Sequence, residues 1–298
     1  MAQSQTTKNG IVSAGLGLTG LMILALGCGS VRTPSEEILV SPQWIDSQGE
    51  SLVILDFGRS EEDFLAGHIP GAVYVPRAVV WDQVDGIPGM LPDPEQVAAE
   101  LGEFGVDNAK AVVVYDSGNG LWASRAFWAL EYLGHSQAHV LDGGYAAYQS
   151  SGLAVSTTPA IPVAGVFTAN VQEDLLASQD FIVSNLENEA VKVLDTRSLG
   201  EYQGTDLRAE RGGHIPGSLH IEWRENLNAD NSFKSLADLE AVYGQKVQGT
   251  DTAVTLCQTG VRGSHSYLAL RLLGYKKVKL YDGSWAQWGN DNESPIDS

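Results

Sequence analysis

Cysteine is the scarcest reactive residue in this chain: 298 residues contain two, Cys28 and Cys257. A disulfide-built scaffold is thereby excluded. Positive charge is also short, with 18 Lys and Arg against 37 Asp and Glu and a net charge of -19. Because no Lys/Arg cluster exists to match a phosphate backbone, nucleic acid has no surface to bind. An anionic substrate would be repelled at long range, so any attraction must come from local positive potential. Long apolar runs are missing as well: the longest uncharged apolar stretch, residues 11–27, falls short of the roughly 20 residues of a spanning helix. What is present, 43% apolar and 18% charged residues, describes an ordinary globular protein. At this length two domains are expected, since a typical domain has roughly 100 to 150 residues.

The start of the chain differs from the rest. "MAQSQTTKNG" carries one charge, Lys8, and leads into "IVSAGLGLTGLMILALG" and then Cys28, which reads as the core of an export signal. The residues "LALGC", 24–28, resemble the lipobox of bacterial lipoproteins, with Ala25 where leucine is usual. The resemblance implies cleavage before Cys28, lipidation of Cys28, and a place in the bacterial cell envelope, periplasmic or membrane-attached; an uncleaved anchor is the alternative. The expected organisation is a signal peptide over 1–27, a tether over 28–35, a first domain over 36–150, a linker over 151–165 and a second domain over 166–298. A lipidated Cys28 leaves Cys257 as the single thiol. A lone cysteine is ordinarily a small buried hydrophobe, so its neighbours must decide what it does.

The chain repeats itself. "GHIPGA" at 67–72 returns as "GHIPGS" at 213–218. Upstream, "LVILDFGRSEEDF" (52–64) matches "VKVLDTRSLGEYQ" (191–203). Downstream, "AVVVYDSGNGLWASRAFWALEYLG" (111–134) matches "AVTLCQTGVRGSHSYLALRLLG" (253–274), and both copies continue into an Asp-Gly turn, "HVLDGGYAAY" and "KLYDGSWAQW". Short apolar runs alternate with helical patterns in each copy, which predicts an α/β fold of two tandem domains, each a mostly parallel sheet flanked by helices. The boundary lies in "SGLAVSTTPAIPVAG", where Ser, Thr, Pro and Gly interrupt the pattern. At one equivalent strand end the first copy has Asp116 and the second Cys257. Strand carboxyl ends are where open α/β sheets bind ligands, and only one copy has a nucleophile there.

The sequence around Cys257 suits anion chemistry. "VTLC" should deliver the sulfur at the strand's edge, and Tyr267, Leu268, Leu270, Leu272 and Leu273 stand at helical spacing, closing on Gly274. Between them Gln258, Thr259, Gly260, Val261 and Arg262 form a tight turn in which Gly260 permits a left-handed backbone. The N–H groups of such a turn point inward. With the helix start and Arg262 nearby, they should favour the thiolate over the thiol and hold an anionic persulfide equally well.

The doubled "GHIPG", the loop "CQTGVR" and the "LYDGSWAQW" that follows resemble the tandem-domain rhodaneses, a family of sulfurtransferases. That resemblance implies an inactive first domain marked by Asp116, catalysis by Cys257, no cofactor and no metal. It further implies a small anionic sulfur donor, a thiophilic acceptor and double displacement through a Cys257 persulfide. Backbone amides from Gln258 to Arg262 would stabilise the anions, with Arg262, and Arg197 from the neighbouring segment, contacting the donor. A monomer is expected. Arg197 has a second reading as half of a buried pair with Asp195, and His68, His214, Trp285 and Trp288 read as structural.

The loop matches neither of two familiar variants. Mammalian thiosulfate enzymes carry two basic residues where Gln258 and Thr259 stand, and mercaptopyruvate enzymes usually carry Gly-Ser-Gly. Glu201 occupies a position where both tend to place an arginine, and a carboxylate there would repel a pyruvate carboxylate, which favours thiosulfate. A cysteine phosphatase is the nearest rival, but its loop has five residues between cysteine and arginine, whereas Gln258 to Val261 are four. A non-catalytic sulfur-carrier or binding module is the alternative from outside enzymology.

Overall fold

The runs "VILDF" and "VKVLD" are too short for a helix and rich in β-branched residues, and both become inner strands covered on two faces. The computed structural model describes residues 1–3 and 38–298, and everything from Ile38 on lies within one compact unit. The run 11–27, Cys28 and the tether 28–35 lie outside the described residues. Among the described residues no helix is long and apolar enough to cross a membrane.

The first half runs β1 (Leu39–Val40), α1 (Pro42–Gln48), β2 (Val53–Phe57), α2 (Glu61–Ala66), β3 (Val73–Val75), the hairpin β4 (Asp82–Val84) and β5 (Ile87–Met90), α3 (Pro94–Glu103), β6 (Val112–Tyr115), α4 (Leu121–Tyr132), β7 (Ala138–Leu141) and α5 (Gly144–Ser150). Its five-stranded sheet has the order β1-β7-β6-β2-β3, with every pair parallel. Local signals place these elements: Pro94 opens α3 behind Asp93, whose carboxylate accepts the N–H groups of Glu95 and Gln96 at 3.0 Å each.

The second half repeats the plan with α6 (Gln179–Ser184), β8 (Val191–Asp195), α7 (Leu199–Tyr202), β9 (Leu219–His220), α8 (Leu236–Tyr243), β10 (Thr252–Leu256), α9 (Val261–Leu272), β11 (Val278–Leu280) and α10 (Ser284–Trp288). Its sheet is β11-β10-β8-β9, again parallel throughout. Residues 151–165, expected as a linker, form no helix or strand, and the irregular stretch continues to 172. It is tied down along the first half, where Gly165 N–H donates to Gly102 O and Asn170 N–H to Leu133 O, both at 2.9 Å.

Helices α4 and α9 pack on each other across the two halves. Each is therefore enclosed by its own sheet on one side and the other helix on the other, and from Gly263 to Leu270 every residue of α9 is buried. Both members of the repeated "GHIPG" histidine pair are structural. His68 Nδ1–H donates to Phe64 O at 2.8 Å and its ring stacks on Phe64; His214 does the same with Tyr202 O at 3.0 Å and the Tyr202 ring.

Candidate active site

Strand β10 ends at Leu256, so Cys257 emerges at the carboxyl edge of the sheet's centre, 1% exposed. Gly260 turns the chain with φ 78°, and a Cβ there would lie 2.8 Å from Asp282 Oδ1 and 2.9 Å from Arg125 Nη1. Only glycine satisfies both the backbone and the crowding. The loop is secured from behind: Cys257 O accepts Trp285 N–H and Gln258 O accepts Ala286 N–H, both at 2.9 Å. Gln258 Nε2 donates to Arg208 O at 3.0 Å, so its side chain turns away from the sulfur. From the first half, Trp81 donates its indole N–H to Thr259 O at 3.2 Å.

Not every loop amide points into the ring, contrary to expectation. The N–H groups of Cys257 and Gly260 both donate to Ser284 Oγ at 3.1 Å. Those of Val261, Arg262 and Gly263, in the first turn of α9, meet no acceptor among the described residues, as first-turn amides cannot bond within their own helix. With those of Gln258 and Thr259, likewise without an acceptor among the described residues, these are the donors available to an anion.

Glu201 corrects a second expectation. Arg262 was to be free for a donor's oxygens, yet its Nη1 and Nη2 bind Glu201 Oε2 and Oε1 at 2.6 and 2.8 Å. Helix α7 places that carboxylate through a capping box, in which Ser198 N–H donates to Glu201 Oε2 at 3.0 Å and Ser198 Oγ accepts Glu201 N–H. Burial pushes the Glu201 carboxyl up, but the hydrogen bonds and charge of Arg262 outweigh it and bring it down to about 2. Burial pulls the Arg262 guanidinium down, but hydrogen bonding to Glu201 and its proximity to Cys257 outweigh it and hold it above its ordinary range. Half-exposed Arg208 approaches Glu201 Oε1 at 3.6 Å from the solvent side.

Arg197 does not join the loop. It is 1% exposed, donates to Asp195 Oδ2 at 2.6 Å and Gly213 O at 2.7 Å, and lies 4.2 Å over the Trp285 ring. The second of its two sequence readings is the one observed, because Asp195, at the end of β8, lies two residues away. The predicted site thus assembles Cys257, the loop 258–261 and Arg262 and leaves out Arg197. Sequence reasoning missed Ser284 and the pairing of Glu201 with Arg262; the capping-box spacing of Ser198 and Glu201 was the one local sign of the latter.

The first half shows the same cradle occupied. Asp116 follows β6, and its carboxylate accepts the N–H groups of Gly118 and Gly120 on Oδ1, at 2.9 and 3.1 Å, and of Trp122 and Ala123 on Oδ2, at 3.0 and 3.4 Å. Burial holds this carboxyl above its ordinary range, with the four N–H groups acting against the rise. Trp122, second residue of α4 as Arg262 is of α9, closes over Gly58, where a Cβ would meet the indole at 2.2 Å. The first half therefore shows that the N–H groups of this strand-loop-helix unit converge on acceptor oxygens at the strand end.

The two halves also reach into each other's loops. Arg125, the fifth residue of α4, forms a buried ion pair with Asp282 and donates to Val80 O and Gly89 O at 2.9 and 3.1 Å. The fifth residue of α9, His265, lies against Gly120, and burial drives its pKa down to about 3. Asp282 accepts Leu91 N–H at 2.7 Å, and its counterpart Asp142 accepts Phe233 N–H at 2.9 Å. A cavity of about 740 Å³ is lined by Trp44, Lys110, His135 and Arg271 among others. It opens near the amino ends of β6 and β7, away from the cradle.

This geometry has counterparts among known proteins. A model of the rhodanese-like domain matches twice, at residues 41–151 and 178–291. The chain is 33% identical over 248 residues to a thiosulfate sulfurtransferase of Pseudomonas aeruginosa, covering 83% of this chain and 91% of that protein. It is 33% identical over 241 residues to the 3-mercaptopyruvate sulfurtransferase of Escherichia coli, covering 79% and 85%. It is 32% identical over 277 residues to the sulfur carrier protein TtuD of Thermus thermophilus, covering 87% and 96%. In fold it is similar to the anaerobic ergothioneine biosynthesis enzyme of Chlorobium limicola, with a TM-score of 0.81 at 23% identity over 90% of this chain and 71% of that one.

Proposed function

The chain belongs to the rhodanese family of sulfurtransferases, and from that premise we propose that it moves sulfane sulfur from thiosulfate, or a related inorganic donor, to a thiophilic acceptor through a persulfide on Cys257. The Cys257 thiolate attacks the outer sulfur of thiosulfate. A new sulfur–sulfur bond forms as the old one breaks, and sulfite leaves with the bonding electron pair. A thiophile such as cyanide then takes the terminal sulfur and returns the thiolate, so charge and electrons balance in each half.

The single observation that carries this reading is the occupied cradle of the first half. Its ring of N–H groups closes on the Asp116 carboxylate, and the second half offers at the corresponding strand end, beside Cys257, the loop and first-turn N–H groups that no acceptor takes. The enzyme's thiolate and persulfide anions and the oxygens of thiosulfate require such fixed donors in a dry site. An acidic protein with a net charge of -19 depends on them for attraction.

The donor assignment rests on Glu201, in a form different from simple repulsion. Glu201 engages both terminal nitrogens of Arg262, so the end-on fork of its guanidinium is already taken by a carboxylate of the protein. Thiosulfate, bound by backbone N–H groups, needs no free guanidinium. The relatives named for thiosulfate and for 3-mercaptopyruvate are equally similar, so the comparison must be made on the protein. Native protein is expected to use thiosulfate at least about tenfold better than 3-mercaptopyruvate in kcat/KM, a difference of about 1.4 kcal/mol. Glu201→Arg should narrow that ratio. Native preference for 3-mercaptopyruvate would overturn the donor assignment.

We further propose export to the bacterial cell envelope with lipid attached at Cys28, on the strength of "LALGC" behind an uncharged run. Labelled palmitate should enter the native chain, and Cys28→Ser should abolish its incorporation. A Cys28→Ser chain that stays membrane-bound would point instead to an uncleaved anchor.

A further inference from the structure

Ser284 occupies a backbone conformation that residues with side chains seldom enter, at φ 51°. The internal repeat supplies its control. "DGSW" corresponds to "DGGY", and Gly144 holds the matching position at φ 54°. The register is fixed by matching bonds: Trp285 N–H donates to Cys257 O at 2.9 Å, as Tyr145 N–H donates to Asp116 O at 2.8 Å. In the first half glycine is obligatory, because a Cβ at Gly144 would lie 2.6 Å from Asp116 O and 2.7 Å from Gly118 N. In the second half the loop stands back far enough to admit a serine, and a serine is present despite its unfavourable backbone.

The hydroxyl is fully engaged. It accepts the N–H groups of Cys257 and Gly260 at 3.1 Å each and donates to Tyr281 O at 2.8 Å, with the residue 0% exposed. Cys257 and Gly260 are the two ends of the loop. In the first half the N–H of Gly120, which precedes α4 as Gly260 precedes α9, points into the ring at Asp116 Oδ1. In the second half that amide is drawn out of the ring onto Ser284. The donors left for the sulfur are then those of Gln258, Thr259, Val261, Arg262 and Gly263, the last two being counterparts of the pair that holds Asp116 Oδ2.

We propose that Ser284 is a positioning residue for sulfur transfer: its buried hydroxyl pins both ends of the Cys257 loop and sets which N–H groups face the sulfur. Backbone strain of this kind persists where surrounding structure enforces it, and at this repeated position a residue with a side chain bears it only beside the cysteine, since Gly144 fills the other copy. The inference rests on the sulfurtransferase reading and adds a residue to it that never touches the donor.

Two variants separate positioning from packing. Ser284→Ala removes the hydroxyl and keeps the unfavourable backbone, whereas Ser284→Gly removes the hydroxyl and relieves the backbone. The glycine variant should therefore melt higher than the alanine variant. Assayed well below both melting temperatures with thiosulfate and cyanide, both should lose kcat by a similar factor, about tenfold or more, with donor KM moving less than about threefold. Near-native kcat in Ser284→Gly, or losses that follow the stability order of the two variants, would overturn the proposal. A native protein that turns over no donor and forms no persulfide overturns the underlying reading instead, and the native sample alone reveals it.

Discussion

Cys257→Ser is expected to lower thiocyanate formation from thiosulfate and cyanide by at least about 10³-fold, because the persulfide route has no substitute nucleophile in the loop. A serine hydroxyl does not ionise near neutrality, and no sulfur can be stored reversibly on its oxygen. The fold should tolerate the exchange within about 1 kcal/mol, since the side chain is slightly smaller and lies beside first-turn N–H donors that an oxygen can accept from. Intact-mass measurement after exposure to thiosulfate should show one added sulfur atom on the native chain and none on the variant. Turnover by the variant at more than a small fraction of the native rate would remove Cys257 from the centre of the mechanism.

The second large effect concerns stability. Arg125→Met should cost about 3 to 5 kcal/mol, because it leaves the Asp282 carboxylate buried without its partner. Arg125 is 0% exposed and ties the first half to the loop of the second, so the loss should also weaken the setting of Gly260. Arg125→Met combined with Asp282→Asn should recover part of the stability, as the buried charge is gone, but not all. The carbonyls of Val80 and Gly89 would still lack the guanidinium that now donates to them. Urea unfolding of the single and double variants gives the comparison. A single variant within about 1 kcal/mol of native would show that the pair contributes little.

The sequence reading was sound wherever information is local or repeated. The strands "VILDF" and "VKVLD", the turn at Gly260 and the equivalence of Asp116 with Cys257 all follow from short-range pattern and from alignment of the chain with itself. The reading failed where partners are far apart along the chain. Glu201 and Arg262 are 61 residues apart in sequence, so a carboxylate that seemed aimed at the substrate proves to be aimed at an arginine. Arg197 carried two readings, a buried pair with Asp195 and a contact to the donor, and the structure shows the pair. Helix α9 offered little amphipathic contrast because both of its faces are covered, one by a sheet and one by α4. The contribution of Trp81 to the Cys257 loop crosses from one half to the other, and nothing in either copy alone announces it.

The loops of the two halves differ in length as well as in their first residue. Asp116 and the residue equivalent to Arg262, Trp122, are separated by five residues, whereas Cys257 and Arg262 are separated by four. The wider ring is the one that encloses a whole carboxylate, and Gly144 must stay small beneath it. A cysteine placed at position 116 would therefore sit in a ring of the wrong girth, roofed by Trp122 and without a hydroxyl behind it. One substitution at that strand end would not reproduce the surroundings of Cys257, because ring size, roof and backing residue differ together.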